Sequence, residues 1–483
     1  MQGVTRKLAQ FAAETRFEQL PPEVVREAKR LLLDTIGCAI GGVHTGSGGI
    51  ALKHVRNLGG APVATVVGTG ERTSTVNAAY ANARIANVLD ADDTFPTGSH
   101  FGSTTVFSAL ALAEQQGRTG RDLITAVAVG FDVGARMGSS MGPPILIENG
   151  KVTGYAKLYG TSATMTWAAV GAAASIARIG TDRTTHAFGI AGANTPLPAH
   201  AKWSASVSLP MHKYSDAGWC AQTGVSATLL AELGSTGYAD ILDGDPAFWR
   251  FFGAASCDID ALGKNLGTHW NILNTTYKPW PSCRWTQYPL TAFLKLKQEL
   301  GLAPGEIDRI VVKANPFAQS ARFKQQQPDN EISAEFSHAH ALAMAAHDVP
   351  AGPKWYDDAA LKSPQYQAFR SRVTVDLEPR AANLAQWMEG GQFRRIPGGV
   401  EVHARGKVHA ASVDMAYGDP WSKETLFSDL ALQQKFIGMV ASTGSPEKKQ
   451  QAERIIAAVE GLENLKDLGD LCLALGTEAG GAR

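Results

Sequence analysis

A chain of 483 residues, 44% hydrophobic and 19% charged, is long for one hydrophobic core and comfortable for two. Its 45 Lys plus Arg balance 45 Asp plus Glu, so no long-range field draws in a polyanion, nucleic acid is not an expected partner, and an anionic ligand must be met by a few locally placed cations. Apolar runs such as Leu123–Val129 are soon cut by Asp132 and Arg136, well short of the roughly 20 residues that cross a bilayer, so no membrane span is expected.

Met1–Gln10 carries Arg6 and Lys7 with no apolar run behind them, which predicts no secretory signal. Cys38, Cys220, Cys257, Cys283 and Cys472 are odd in number and widely scattered, without the close spacing of a zinc or iron–sulfur site. They read as buried thiols of a cytoplasmic protein, with no metal and no disulfide framework expected.

In chain order, Leu20-Pro21-Pro22-Glu23 opens a helix, with proline in the first turn and an acid complementing the dipole, and Val25, Ala28, Leu32 and Ile36 share one face. Further helices are predicted over Val76–Leu89, Thr104–Gln116, Arg121–Met137, Ser162–Arg178 and Asp216–Leu233. Several are small-sided, as in Asn77–Ala83 and Gly171–Ala174, so their backbones can approach closely in a packed all-α bundle. Past about Leu266 the pattern changes to β-branched or alternating runs, predicting strands at Ile307–Lys313, Arg372–Asp376 and Val400–Arg405, with a helix over Ala334–Ala346. Helices return at Ser422–Val440 and Pro446–Glu460, and the tail Gly480–Arg483 is expected to fray. The expected architecture is mostly α: a large all-helical domain from residues 1–268 and 410–483, and a smaller α+β domain from 269–409.

The densest polar cluster is Asp90-Ala91-Asp92-Asp93 with Thr94 and His100. Crowded carboxylates raise at least one pKa, which suits a base near neutral pH, and His100 can supply the partner acid. The alternative is a solvated loop at a helix C-terminus. Lys213 precedes a helix that Ser215 or Asp216 could cap, and is either a surface lysine or part of a carboxylate-binding anion site. The Pro-rich, aromatic loop Tyr277–Gln287 lies at the domain boundary, where Arg284 could grip a carboxylate or simply tie the loop. His338 and His340 are two apart on a helix and face different ways, so they predict no shared metal, although one could titrate usefully. Gly68-Thr69-Gly70 lacks the remainder of a dinucleotide fingerprint and reads as a turn.

Five segments, Asp34–Cys38, Gly68–Gly70 with Thr73-Ser74, Asp90–His100, Lys213–Gly224 and Lys278–Arg284, resemble motifs of the MmgE/PrpD family in the same order. That family includes 2-methylcitrate dehydratase, cis-aconitate decarboxylase and iminodisuccinate epimerase. The resemblance implies a helical domain built from both chain ends, an α+β lid from the middle, an active site between them, no cofactor, and a homodimer. Asp90, Thr94, His100 and Lys213 match the family's active-site aspartate, threonine, histidine and lysine. Ser162, Asp216 and Gln287 stand where histidines are usual, and His340 where a tyrosine is common; Ser and Gln cannot exchange protons near neutral pH.

The expected function is therefore a cofactor-free, dehydratase-like lyase of a small hydroxy- or unsaturated carboxylic acid. Asp90, His100, Lys213 and His340 would be catalytic, and Thr94, Ser162, Asp216, Arg284 and Gln287 would bind substrate. Two alternatives are an epimerase of an amino- or imino-dicarboxylate, with His100 and His340 on opposite faces of one carbon, and a homologue that binds a small molecule without turnover.

Overall fold

Short polar side chains at the expected helix starts supply the caps that set the helical part in place. Ser74 Oγ accepts from the Asn77 amide at 3.3 Å and opens the helix Thr75–Asn87. Thr119 and Asp122 form a reciprocal capping box that opens Gly120–Ser140, and Asp216 Oδ1 accepts from the Gly218 amide at 2.9 Å to open Ala217–Glu232. With Pro22–Gly42, Gly102–Gln116 and Ser162–Ala177, these are the predicted helices, differing only in their end turns. The computed structural model describes residues 3–142, 145–149, 151–156, 158, 160–442 and 446–476.

The small residues do what the sequence suggested. A Cβ on Gly134 would lie 2.6 Å from Ala168 Cβ and 2.9 Å from the Thr164 carbonyl oxygen, and one on Gly130 would lie 2.6 Å from Ala172 Cβ. The helices Gly120–Ser140 and Ser162–Ala177 are thus in near-backbone contact. The late helix Asp429–Val440 lies against Pro22–Gly42: Lys435 Nζ donates to Asp34 Oδ1 at 2.6 Å, and Gly37 leaves no room for a Cβ beside Phe436. A helix from late in the chain therefore packs directly on one from its start.

The smaller part carries a four-stranded sheet of β1 (Ile307–Ala314), β2 (Val373–Leu377), β3 (Gly398–Ala404) and β4 (Lys407–Val413) in the order β2-β1-β3-β4. β2 runs parallel to β1, with Ile310 opposite Val373; β3 and β4 are antiparallel to their neighbours. The molecule is mostly helical with a smaller α+β part, as the sequence suggested. Three details differ. β4 follows a turn in which Arg405 and Gly406 both have positive φ; its residues, Val and Ala among Lys, His and Ser, are exposed or half-buried throughout, and it carries the sheet past the expected limit at residue 409. The helix expected over Ala334–Ala346 is two, Glu331–Phe336 and His338–Ala346, because Ser337 leaves the helical region and caps the second by accepting from the His340 amide at 3.0 Å. The helix expected from Ser422 starts instead at Asp429, where Ser428 caps it.

Gly68-Thr69-Gly70 is the turn of a short hairpin between Ala64–Val66 and Glu71–Thr73, with both glycines at positive φ. The five cysteines are free, and all but half-buried Cys257 are buried. Among the described residues no helix is long and apolar enough to cross a membrane. Met1 and Gly480–Arg483 lie outside the described residues.

Candidate active site

Where the helix Thr75–Asn87 ends, Asp90 takes a left-handed backbone (φ 49°) and the chain turns its acids inward. Asp90, Asp92 and Asp93 are buried, so the solvated-loop alternative fails. Burial without compensation would neutralise them, and the compensation comes from far along the chain. Lys278 Nζ donates to the Asp90 carbonyl at 2.7 Å and to its Oδ1 at 3.0 Å, and lies 3.8 Å from Asp92 Oδ1. Lys213 Nζ donates to the Asn87 carbonyl at 2.7 Å and pairs with Glu335 Oε2 at 2.6 Å and Asp90 Oδ1 at 3.8 Å. Burial resists ionisation of Asp90, but Lys278, Lys213 and His100 outweigh it and hold its carboxyl below the usual range. Burial likewise opposes the charge on Lys213, and Glu335 and Asp90 hold it protonated above the usual lysine range. Asp93 is the crowded acid that rises: burial and the Asp92 charge push it up to about 7, although it accepts from the Phe101 and Gly102 amides at 3.2 and 2.8 Å.

His100 bridges this acidic floor and a cleft. Its Nδ1 lies 2.8 Å from the Asp93 carbonyl oxygen, which can only accept, so Nδ1 carries a proton. In the neutral ring Nε2 is then an acceptor, and it faces the Tyr214 hydroxyl at 2.8 Å and Asp90 Oδ1 at 3.9 Å. Asp90, Asp92 and His100 offer ligand atoms within 4.8 Å of one another, but those groups already have Lys278, Asn87, the Asp93 carbonyl and Tyr214 as partners.

The cleft above His100 holds about 550 Å³ and is shared between the two halves of the chain. The helical half gives Thr94, His100, His200 and Tyr214; the second half gives Arg284, Arg322 and the aromatic rings of Trp285, Phe317, Phe323, Phe336 and Phe393. The halves are sewn together beside it, since the Thr94 amide donates to the Thr276 carbonyl at 2.9 Å and the Thr276 amide returns the bond at 3.0 Å. Thr94 Oγ1 is buried with no protein partner.

A model of the MmgE/PrpD N-terminal domain matches residues 6–257, and a model of the MmgE/PrpD C-terminal domain matches residues 280–461. The chain belongs to the MmgE/PrpD family. It is 27% identical over 249 residues to the cis-aconitate decarboxylase-like protein oryM of Aspergillus oryzae, a match spanning 50% of this chain and 49% of that protein. To a cis-aconitate decarboxylase of Aspergillus terreus it is 25% identical over 367 residues (72% of each chain), and to that of Homo sapiens 24% over 498 aligned positions (98% of this chain, 95% of the other).

The positions that match the MmgE/PrpD pattern and those that depart from it fare differently. Thr94 and His100 line the cleft, while Asp90 and Lys213 belong to the floor network beside it. Arg284 also lines the cleft; its Nη2 holds Asp419 Oδ1 at 2.6 Å and donates to Tyr288 Oη at 2.8 Å, while Nη1 is left without a partner. The four departures do not line the cleft. Ser162 Oγ donates to the Pro196 carbonyl at 2.9 Å, Asp216 caps its helix and pairs with Arg84, and Gln287 Nε2 ties the Trp280 and Ser282 carbonyls at 3.1 and 3.0 Å.

His340 needs the largest correction. Its Nε2 lies 2.6 Å from the Trp355 carbonyl and its Nδ1 3.0 Å from Arg370 Nη1, so both nitrogens are engaged inside the smaller part. Burial, with the Arg370 charge, pushes it down to about 3, which leaves a neutral scaffold histidine and not an acid or base facing His100. Sequence reasoning missed Lys278, Tyr214, His200 and Arg322. Lys278 and Tyr214 lay inside segments already singled out; Arg322 had no local signal at all.

Proposed function

We propose that the protein is a cofactor-free lyase that eliminates from a carboxylic acid held in the cleft. The observation that carries this reading is His100, fixed through Nδ1 by a backbone carbonyl and presenting Nε2 to Tyr214 at the cleft's edge. A base so held can take the proton next to a carboxylate, and the Tyr214 hydroxyl can protonate the departing hydroxyl; the C–H and C–O bonds break, a C=C bond forms and water leaves. Asp90, kept ionised, stabilises the imidazolium formed on His100, while Lys278 and Lys213 keep the floor close to neutral. Thr94 Oγ1 is available to orient substrate. The relatives named as cis-aconitate decarboxylases support a lyase, and decarboxylation could use the same proton delivery in reverse.

Epimerisation loses its second base with His340 turned inward, so elimination is the better fit. A homodimer and a cytoplasmic setting belong to the same reading. The test is a panel of citrate, 2-methylcitrate, cis-aconitate, aryl hydroxy acids and amino-dicarboxylates, followed by absorbance for new double bonds and by mass spectrometry. Loss of water or carbon dioxide supports the lyase. Binding without turnover of any member, or exchange of deuterium with no net consumption, sinks it.

A further inference from the structure

The charges around the cleft are unevenly balanced. Lys213, Lys278 and Arg284 each have a carboxylate within 3.0 Å: Glu335 at 2.6 Å, Asp90 at 3.0 Å and Asp419 at 2.6 Å. Arg322 has none among the described residues. It is 9% exposed, its Nη1 donates to the Ser204 carbonyl at 2.8 Å, and its buried Nε has no partner. Aromatic rings surround the guanidinium, with Phe323 at 4.9 Å, Trp203 at 5.7 Å and Phe336 at 5.9 Å from its carbon. Among the described residues that line the cleft there is no Asp or Glu.

A guanidinium held in apolar surroundings without a counter-ion is costly unless a ligand brings the missing charge. Arginine is also the side chain whose planar fork suits a carboxylate. One uncompensated cation matches one carboxylate. A tricarboxylate would carry two further charges against Phe317, Phe323 and Phe336, where the other arginine among the described lining residues, Arg284, is already neutralised by Asp419. A cleft of about 550 Å³ with a stack of Trp285 on Phe317 at 5.0 Å and Phe393 edge-on to Phe317 at 5.6 Å has room for, and rewards, a large apolar body.

We propose that the cleft accepts a monocarboxylate with a bulky apolar body, Arg322 gripping the carboxylate and the aromatic wall covering the remainder. As a statement about substrate class it rests on the lyase reading; as a statement about binding it does not. The test is calorimetric titration of the full chain with acetate, cinnamate, phenyllactate, citrate and cis-aconitate, repeated on Arg322→Met and Arg322→Lys. Cinnamate and phenyllactate are expected to bind roughly tenfold or more tighter than acetate and the tricarboxylates, with a further loss of roughly tenfold or more in Arg322→Met and partial recovery in Arg322→Lys. Tighter binding of citrate or cis-aconitate, equal binding of acetate and cinnamate, or an unchanged affinity in folded Arg322→Met would each overturn the proposal. The wild-type ligand series decides it even if the variants fail to fold. Arg322-dependent binding of cinnamate with no turnover of 3-hydroxy-3-phenylpropanoate, whose α-proton and β-hydroxyl the proposed elimination would remove to give cinnamate, upholds this inference and counts against the lyase; turnover of cis-aconitate without cinnamate binding does the reverse.

Discussion

Around Asp90, buried charge is answered by buried charge: Lys278, Lys213 and Lys435 reach the Asp90–Asp93 segment and the carboxylates of Asp34 and Glu335. Across the cleft, Arg322 sits among aromatic rings with a single hydrogen bond to a carbonyl. The two regions bury similar groups with opposite accounting. The floor is self-sufficient, so it can hold His100 in one orientation before any ligand arrives, which is what pre-organised proton transfer requires. The wall is incomplete, so it has reason to select a ligand. On the proposed reading, chemistry and selectivity sit on opposite sides of one cavity.

The largest way to break that comparison is at the floor's one cleft-facing base. His100→Ala should lower turnover of whichever carboxylate the panel identifies by roughly 10²–10⁴-fold with the fold intact, read as kcat beside a thermal melt. Next comes the balance beneath it. Lys213→Met leaves Glu335 and Asp90 short of a cation and should cost about 3–5 kcal/mol in urea unfolding; a cost under about 1 kcal/mol would mean that the floor does not depend on this pairing.

Smaller effects sharpen the contrast. Gly134→Ala, in the close helix pair that supports the floor, should cost about 1–3 kcal/mol through overpacking against Ala168 and the Thr164 carbonyl, despite its better helix propensity. The last is a pH slope. Asp93 stands at about 7 in the folded protein against about 3.9 unfolded, so folding takes up a proton between those values and stability falls as pH rises through that window, by at most about 1.4 kcal/mol per unit. Asp34 and Asp419, also raised chiefly by burial, act in the same direction. In Asp93→Asn the slope should flatten, measured as unfolding free energy from pH 4 to 7; an unchanged slope would show that Asp93 does not carry it.

Much of this molecule is decided locally. Ser74, Thr119 and Asp216 cap helices because a short polar side chain reaches the amide two or three residues on, and Gly130 and Gly134 permit close packing whatever lies opposite. Such features can be read along the chain, as can the Asp90–His100 segment and the order of family motifs. Where local signals competed, reading failed: Ser337 breaks a helix inside an Ala-rich run, and the edge strand β4 mixes Val and Ala with polar residues and buries none of them fully.

What the tertiary structure alone decided is which charges meet. Asp90 and Lys278 are 188 residues apart, and nothing near either one announces the other. His340 and His100 looked interchangeable as bases until one met a carbonyl and an arginine in the interior and the other a tyrosine at a cavity. Arg322 is notable only for the partner it lacks, and the absence of a partner is a property of the whole neighbourhood, because Coulomb and desolvation energies depend on distance in space and not on position along the chain.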